Sequence, residues 1–191
     1  MLKFPPSPPV PPPFIQPMKI ALFYGTCTGK TEAVAEQIKE ELGEAFFTAF
    51  EDVSQIEPKD LEKYDVIIAG IPTWDVGELQ YDWQDIFDKL DEVDLSGKKV
   101  LMFGTGDQAG YPDTYQDAIG IVYDKFVARG AVGGLGFTDA TTHEFEESKG
   151  CITKDGKKLF VGLALDEDCQ PELTEQRVKD WCAQIKAELG V

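Results

Sequence analysis

Short runs of almost entirely apolar residues constrain the fold of this chain more than any other feature. A strand with one face in water alternates apolar and polar side chains, whereas most of these runs are continuously apolar. We therefore expect strands that are buried on both faces of a sheet. The runs are residues 20–24, 46–50, 66–69, 100–103 and 132–137.

Segments with helical periodicity lie between and after these runs, and each carries one apolar stripe. The stripes are Val34, Ile38 and Leu42; Trp83, Ile86, Phe87 and Leu90; Ile119, Val122 and Phe126; and Val178, Trp181, Cys182, Ile185 and Leu189. The first helix is predicted over residues 32–42, and the last one starts at an N-cap, Thr174, and stops at Gly190. Alternating buried strands and amphipathic helices predict a three-layer, doubly wound α/β fold with helices on both faces of a parallel sheet.

A hydroxyl-rich loop, residues 26–31, joins the first predicted strand to the first predicted helix. The free N–H groups of a helix N-terminus and three threonine hydroxyls then point toward one place, which suits a phosphate group. A Ser/Thr-rich helix start without a ligand is the alternative that this loop alone leaves open.

The same loop does not match a Walker A nucleotide-binding loop, although Gly29-Lys30-Thr31 resembles the end of one. Walker A has four residues between its two glycines, whereas Gly25 and Gly29 are separated by three. Tyr24 stands where the first glycine would lie, and a bulky side chain disfavours the positive φ that glycine allows. We therefore expect no nucleoside-triphosphatase site here.

The chain of 191 residues carries a formal net charge of −17. Such a charge repels the phosphates of nucleic acids and anionic membrane surfaces, and it favours a basic protein partner. No apolar stretch approaches the roughly 18 residues that a membrane helix needs, so we expect no membrane insertion.

The four cysteines form no C-x-x-C pair, and the chain has one histidine, His143. We therefore expect no metal site, free thiols and a reducing compartment. His143 itself is predicted to be an ordinary surface residue.

Residues 1–17 hold eight of the twelve prolines and almost no charge. This composition opposes a helix and favours an extended, polyproline-like segment, which we expect to be disordered. The segment lacks the apolar helical region of a secretory signal and the Arg- and Ser-rich composition of a transit peptide. Three interpretations stay open: a flexible tail, a Pro-rich ligand for a partner protein, or residues upstream of a start at Met18.

Four stretches resemble the signature segments of long-chain flavodoxins, in the order and with nearly the spacing of that family. They are residues 23–32 (FYGTCTGKTE), 72–80 (PTWDVGELQ), 103–111 (FGTGDQAGY) and 160–168 (FVGLALDED). The resemblance covers residues 18–191 as one domain. It implies a flavodoxin-like, five-stranded parallel sheet of order 2-1-3-4-5, with the ligand beyond the carboxyl ends of strands one, three and four. It also implies that residues 138–161 are the long-chain insertion, which interrupts the last strand before residues 162–165 continue it.

The resemblance implies a non-covalently bound FMN and the residues that contact it. Trp74 and Tyr111 are the expected stacking partners, because aromatic faces gain dispersion energy against a flat ring system. Phosphate contacts are implied for Thr26, Cys27, Thr28, Gly29, Lys30 and Thr31. One face of the flavin is implied to be lined by Thr73, Trp74, Asp75, Val76 and Gly77, and the other by Thr105, Gly106, Asp107 and Tyr111. Gln116 and Asp168 are further implied contacts, and a solvated charge cluster is the alternative for residues 166–168.

The implied function is a low-potential one-electron carrier that substitutes for ferredoxin, and not an enzyme. Full reduction leaves an anionic flavin, which a chain at −17 with no arginine near the ring destabilises. We therefore expect cycling mainly between semiquinone and hydroquinone. A flavodoxin-like NAD(P)H:quinone reductase is the alternative.

The resemblance also implies redox partners with basic surfaces: a flavoenzyme like ferredoxin-NADP reductase, and photosystem I as a donor. We expect a monomer in the cytoplasm, with the plastid stroma as the alternative compartment.

Overall fold

The structure is a computed structural model that describes residues 17–191. Apart from Pro17, the predicted Pro-rich extension lies outside the described residues, and its three interpretations stay open. The strands are β1 (Ile20–Tyr24), β2 (Ala49–Asp52), β3 (Val66–Gly70), β4 (Thr73–Trp74), β5 (Glu78–Leu79), β6 (Lys99–Thr105), β7 (Thr138–Asp139), β8 (Cys151–Lys154), β9 (Lys157–Phe160) and β10 (Leu163–Leu165). The α-helices are α1 (Lys30–Leu42), α2 (Tyr81–Phe87), α3 (Asp117–Ala128) and α4 (Thr174–Leu189).

Five strands form the central sheet, all parallel, in the order β10-β6-β3-β1-β2. With β6 and β10 as the fourth and fifth strands, this is the predicted order 2-1-3-4-5, which is confirmed. Every residue of β1 and β3 is buried, as their continuous apolar runs predict.

Helices cover both faces of this sheet, so the three-layer prediction is also confirmed. On one face, Ile38 of α1 and Trp181 of α4 belong to the same buried core as Leu22 of β1. On the other face, Trp83 of α2 and Phe126 of α3 pack edge to face, with ring centroids 6.3 Å apart. Within residues 17–191, no helix combines the length and the apolar content needed to cross a bilayer.

The last strand of the sheet is divided by the insertion, as predicted, but its first part is shorter than expected. Within residues 132–137 only Val132 bridges to the sheet, beside the start of β6. Gly134 and Gly136 take φ values of 89° and 65°, and this left-handed backbone cannot continue a strand. The strand prediction is therefore wrong beyond Val132, and β10 completes the sheet beside the end of β6.

Two predicted boundaries shift for local reasons. The strand expected at residues 46–50 begins later, because Glu44–Phe46 form a short 3₁₀ helix before β2. Thr174 is the first residue of α4 and not its cap, because its hydroxyl donates a hydrogen bond to Glu167 instead. Gly190, with φ of 76°, ends α4 as predicted.

Residues 138–161 form a small three-stranded antiparallel sheet of order β7-β9-β8. Tyr115, just before α3, packs against this sheet, with ring centroids 5.6 Å from Phe145 and 5.8 Å from Phe160. His143 joins the same aromatic cluster and is only 8% exposed. The prediction of a surface histidine is therefore wrong.

Candidate functional site

A groove of about 290 Å³ opens at the carboxyl ends of the central strands. The four signature segments meet there, because each follows one of the parallel strands β1, β3, β6 and β10. The lining residues are Thr28, Lys30, Pro72, Thr73, Trp74, Asp75, Thr105, Gly106, Asp107, Tyr111, Glu167 and Asp168. In doubly wound folds this edge, at the point where strand order reverses, is where ligands bind.

One end of the groove is formed by the start of α1. Gly29 is the N-cap residue, in a left-handed conformation with φ of 82°, and no side chain caps the helix. The first backbone N–H groups of α1 are therefore free to meet an anion, and the Lys30 ammonium adds a positive charge. Thr28 lines the groove beside them. These groups fit a phosphate.

Two threonines of this loop shape it from inside and do not line the groove. Thr26 Oγ1 accepts a hydrogen bond from the N–H of Gly29, at 3.0 Å. Thr31 is buried, and its Oγ1 lies 3.1 Å from Oγ1 of Thr105. The loop after β1 is thereby joined to the end of β6.

Two aromatic side chains also line the groove. Trp74 is half-buried on the β4–β5 ribbon, and Tyr111 is 45% exposed on the loop after β6. The turn that carries Tyr111 is fixed by Asp107, whose Oδ1 accepts hydrogen bonds from the N–H groups of Ala109 (3.1 Å) and Gly110 (2.7 Å). Partly exposed aromatic faces on a groove suit stacking against a flat ring system.

The turn that follows Trp74 is conformationally unusual. Asp75 takes φ of 42° and Gly77 takes φ of 82°, values that residues with a side chain seldom adopt. Thr73 and Asp75 line the groove, whereas Val76 is 75% exposed and Gly77 faces Asp117 at the start of α3.

Two further implied contacts, Gln116 and Cys27, also lie outside the groove lining. Gln116 is fully buried, and its Nε2 donates hydrogen bonds to the carbonyls of Gly104 (3.2 Å) and Leu165 (3.0 Å), which joins the ends of β6 and β10. Cys27 is exposed, and its sulfur accepts a hydrogen bond from Gln80 at 3.5 Å.

Asp168 lies in the groove, as the resemblance implies, and Asp166 lies behind it. Asp168 Oδ1 is 2.6 Å from Lys30 Nζ, between partly exposed side chains. Asp166 is fully buried, and its carboxylate accepts hydrogen bonds from the backbone N–H groups of Gln108 (2.9 Å), Asp168 (3.0 Å) and Cys169 (2.8 Å). The solvated-cluster interpretation therefore fails for Asp166. An acidic residue directly after a buried strand was the available signal for this role.

The groove has a negative character. Asp75, Asp107, Glu167 and Asp168 line it against a single Lys30, and none of its lining residues is an arginine. Within the described part of the chain, one set of potential metal ligands, Asp107, Asp166 and Cys169, has its ligand atoms within 4.8 Å of one another. Both oxygens of Asp166 already accept backbone hydrogen bonds, so this cluster stabilises a loop junction.

Together, the fold and the groove define a doubly wound α/β protein with an anion cradle and an aromatic-lined slot at one edge of its sheet. The family model described as Flavodoxin matches residues 22–181. The chain is 51% identical to a flavodoxin of Nostoc sp. over 173 residues, which cover 91% of this chain and 98% of that protein. It is 52% identical to a flavodoxin of Synechocystis sp. over 168 residues, which cover 88% and 96% of the two chains.

A solved structure supports the same assignment. The flavodoxin of Fusobacterium nucleatum bound to flavin mononucleotide superimposes with a TM-score of 0.79 at 35% identity, covering 90% of this chain and 98% of that one. The chain belongs to the flavodoxin family, whose members are electron-transfer proteins rather than enzymes.

Proposed function

We propose that this chain binds FMN non-covalently in the groove and carries one electron at a time between redox proteins. The observation that supports this most directly is that one groove joins an uncapped helix start to two partly exposed aromatic residues, Trp74 and Tyr111. An anion site next to a stacking site is what a phosphorylated flat ring requires.

The chain's own residues divide the work of binding. The N–H groups at the start of α1, with Thr28 and Lys30, would hold the phosphate. Trp74 and Tyr111 would exclude water from the ring, and Asp168 would orient Lys30 through their ion pair. Thr26, Thr31 and Gln116 support the loops from behind, and Thr73, Asp75, Thr105, Gly106 and Asp107 supply the remaining walls.

We further propose that the protein works at low potential, mainly between semiquinone and hydroquinone. Four carboxylates and one lysine line the groove, so an added negative charge on the ring is repelled with little compensation. Each tenfold change in the equilibrium constant of a one-electron couple corresponds to about 59 mV, so modest repulsion separates the two reduction steps.

Partner docking follows from the charge of the whole chain. At −17, the protein suits basic surfaces, and we propose a flavoenzyme like ferredoxin-NADP reductase and photosystem I as partners of a monomer that substitutes for ferredoxin. The four free cysteines of the described residues suit a reducing compartment, the cytoplasm or the plastid stroma.

An anaerobic stepwise reduction, followed by visible spectroscopy and by mass analysis of the released flavin, tests the proposed function. We expect a yellow protein that releases FMN and turns blue before it bleaches, because a separated pair of potentials populates the neutral semiquinone. Direct bleaching together with steady NADPH consumption by the purified protein would instead favour the quinone-reductase alternative. A protein that cannot take up FMN would contradict both.

A further inference from the structure

We propose that Lys149, in the insertion, and Asp117, at the start of α3, are positioning residues that hold the turn of residues 73–77 against the FMN groove. This inference rests on the proposed FMN binding and assigns the insertion a part in shaping the site. Neither residue lines the groove, so both act through the turn.

The start of α3 contacts both ends of this turn. The N–H of Ala118 donates a hydrogen bond to Thr73 Oγ1 at 3.2 Å. At the other end, a Cβ placed on Gly77 would lie 2.7 Å from Oδ2 of Asp117, so the backbone of Gly77 rests directly on the carboxylate. The two contacts bracket Trp74, the residue that we expect to stack on the ring.

The carboxylate under Gly77 is almost completely buried, with 3% of the Asp117 side chain exposed. Its Oδ1 accepts a hydrogen bond from the backbone N–H of Lys149 at 2.7 Å. Its Oδ2 lies 3.1 Å from the Lys149 ammonium. Among the described residues, the Lys149 ammonium is the cation paired with this carboxylate. Removing one partner of a buried ion pair is strongly destabilising, because it leaves an uncompensated charge.

The backbone of Lys149 is fixed, although its side chain is 64% exposed. A Cβ placed on Gly120 of α3 would lie 2.2 Å from the carbonyl oxygen of Lys149, and one on Gly150 would lie 2.5 Å from the carbonyl oxygen of Gln116. Only glycine permits such close approach of two backbones. The backbone of the insertion at Lys149 is therefore held rigidly against α3, which keeps the lysine next to Asp117.

The antiparallel pairing of β4 with β5 closes the turn at its base, but its tip projects into solvent. Val76 at its tip is 75% exposed, and Asp75 and Gly77 both have positive φ, a conformation that costs free energy unless surrounding contacts maintain it. Without the ammonium, the Asp117 carboxylate would move toward solvent to become hydrated. Because it contacts Gly77, this movement would displace the turn. The wall that carries Trp74 would move with it.

The test compares Lys149→Met with Lys157→Met, an exposed lysine of the same insertion whose loss changes the net charge equally. A third variant combines Lys149→Met with Asp117→Asn, which removes the buried charge but keeps an acceptor for the backbone N–H. Three quantities are measured: the FMN dissociation constant, the two one-electron potentials of the holoprotein, and the amide hydrogen exchange of Val76 and Gly77 in the apoprotein.

We expect Lys149→Met to weaken FMN binding about tenfold, to change at least one one-electron equilibrium tenfold, which is about 59 mV, and to speed exchange in the turn. The FMN dissociation constant of Lys157→Met should stay within twofold of that of the parent. Adding Asp117→Asn to Lys149→Met should bring the dissociation constant back to within threefold of the parent value.

Equal behaviour of the two lysine variants, or a lack of restoration by Asp117→Asn, would overturn the positioning role. If the parent protein bound no FMN, the proposed function would fail. The hydrogen exchange of Val76 and Gly77 would still show whether Lys149, unlike Lys157, holds the turn in place.

Discussion

His143 shows how strongly a single residue depends on its surroundings. Its ring lies 5.5 Å from that of Tyr115 and 5.4 Å from that of Phe160, and its Nδ1 is 3.1 Å from Thr142 Oγ1. Burial, and next the charge of Arg177, lower the pKa of His143 to about 4, although nearby carboxylates act in the opposite direction. The imidazole is therefore neutral in the folded protein at neutral pH.

This lowered pKa predicts a pH-dependent loss of stability. Between pH 6.5 and about 4 the unfolded chain binds a proton at His143 that the folded chain does not, so the free energy of unfolding falls as the pH falls. At pH 4.5 this proton uptake lowers the free energy of unfolding by roughly 2–3 kcal/mol. Urea unfolding of the parent and of His143→Gln at pH 7 and pH 4.5 measures it.

Many carboxylates titrate in the same pH range, but their contribution to the free energy of unfolding cancels when the two proteins are compared. The parent should lose more stability on acidification than His143→Gln does, and equal losses would contradict the buried, neutral imidazole.

Asp166 provides a second prediction at the residue scale. Asp166→Asn replaces one carboxylate oxygen by an NH₂ group that faces backbone donors, so at least one of three N–H groups loses its acceptor. We expect a loss of about 2–4 kcal/mol in unfolding free energy and weaker FMN binding, because both loops that Asp166 joins reach the groove. Chemical denaturation and FMN titration measure the two effects.

Asp168→Asn is the matched control. Asp168 is half-exposed and pairs with Lys30 at the surface. Its substitution should therefore lower the free energy of unfolding by less than about 1 kcal/mol. A similar loss for both variants would argue against the special role of the buried carboxylate.

Among the elements, α3 packs very closely against the insertion. Its Gly120 lies against the backbone of residues 149–150, where an added Cβ would meet Lys149 O at 2.2 Å. The insertion can approach α3 this closely only because that helix position has no side chain. A helical glycine, which is costly by itself, is thus explained by tertiary packing.

Gly120→Ala therefore separates the insertion from α3. We expect a loss of about 1–3 kcal/mol in unfolding free energy from overpacking, although alanine is the better helix former. Asp124→Ala, on an exposed position of the same helix, should change stability by less than about 0.5 kcal/mol. Thermal or urea unfolding distinguishes them, and a stabilised Gly120→Ala would contradict the contact.

The elements also show how far sequence patterns reach. Residues 20–24 and 66–69 predict buried strands correctly, because a continuous apolar run needs burial on both faces. Residues 132–137 also contain apolar side chains, but Gly134 and Gly136 adopt left-handed φ values, which a pattern of hydrophobicity does not encode. The groove loops were predictable because they follow strands along the chain. For Asp166, its place directly after a buried strand was a usable signal. The burial of His143 was not predictable, because it depends on segments distant in sequence.

At the scale of the whole molecule, net charge sets the rate at which the protein associates with redox partners. The net charge of −17 and an acidic groove predict fast, weak association with basic redox proteins. We expect the association rate with a basic probe such as cytochrome c to fall at least tenfold as ionic strength rises from about 0.01 to 0.3 M, because the Debye length shrinks. Stopped-flow measurements of electron transfer test this.

A neutral or acidic acceptor provides the comparison. Its rate should be insensitive to salt or should rise with it, since screening then removes a repulsion. Equal salt dependence for both acceptors would contradict electrostatic steering.

The groove is assembled from segments that lie as far apart in sequence as Thr28 and Asp168. A ligand seated there joins four loops that the chain itself connects only through the sheet, and ligand present at a thousand times its Kd adds about 4 kcal/mol to the free energy of unfolding. If that ligand is FMN, the lifetime of this protein in a cell depends on the supply of a vitamin-derived nucleotide. Molecules made faster than the nucleotide is supplied would be the first that proteases remove.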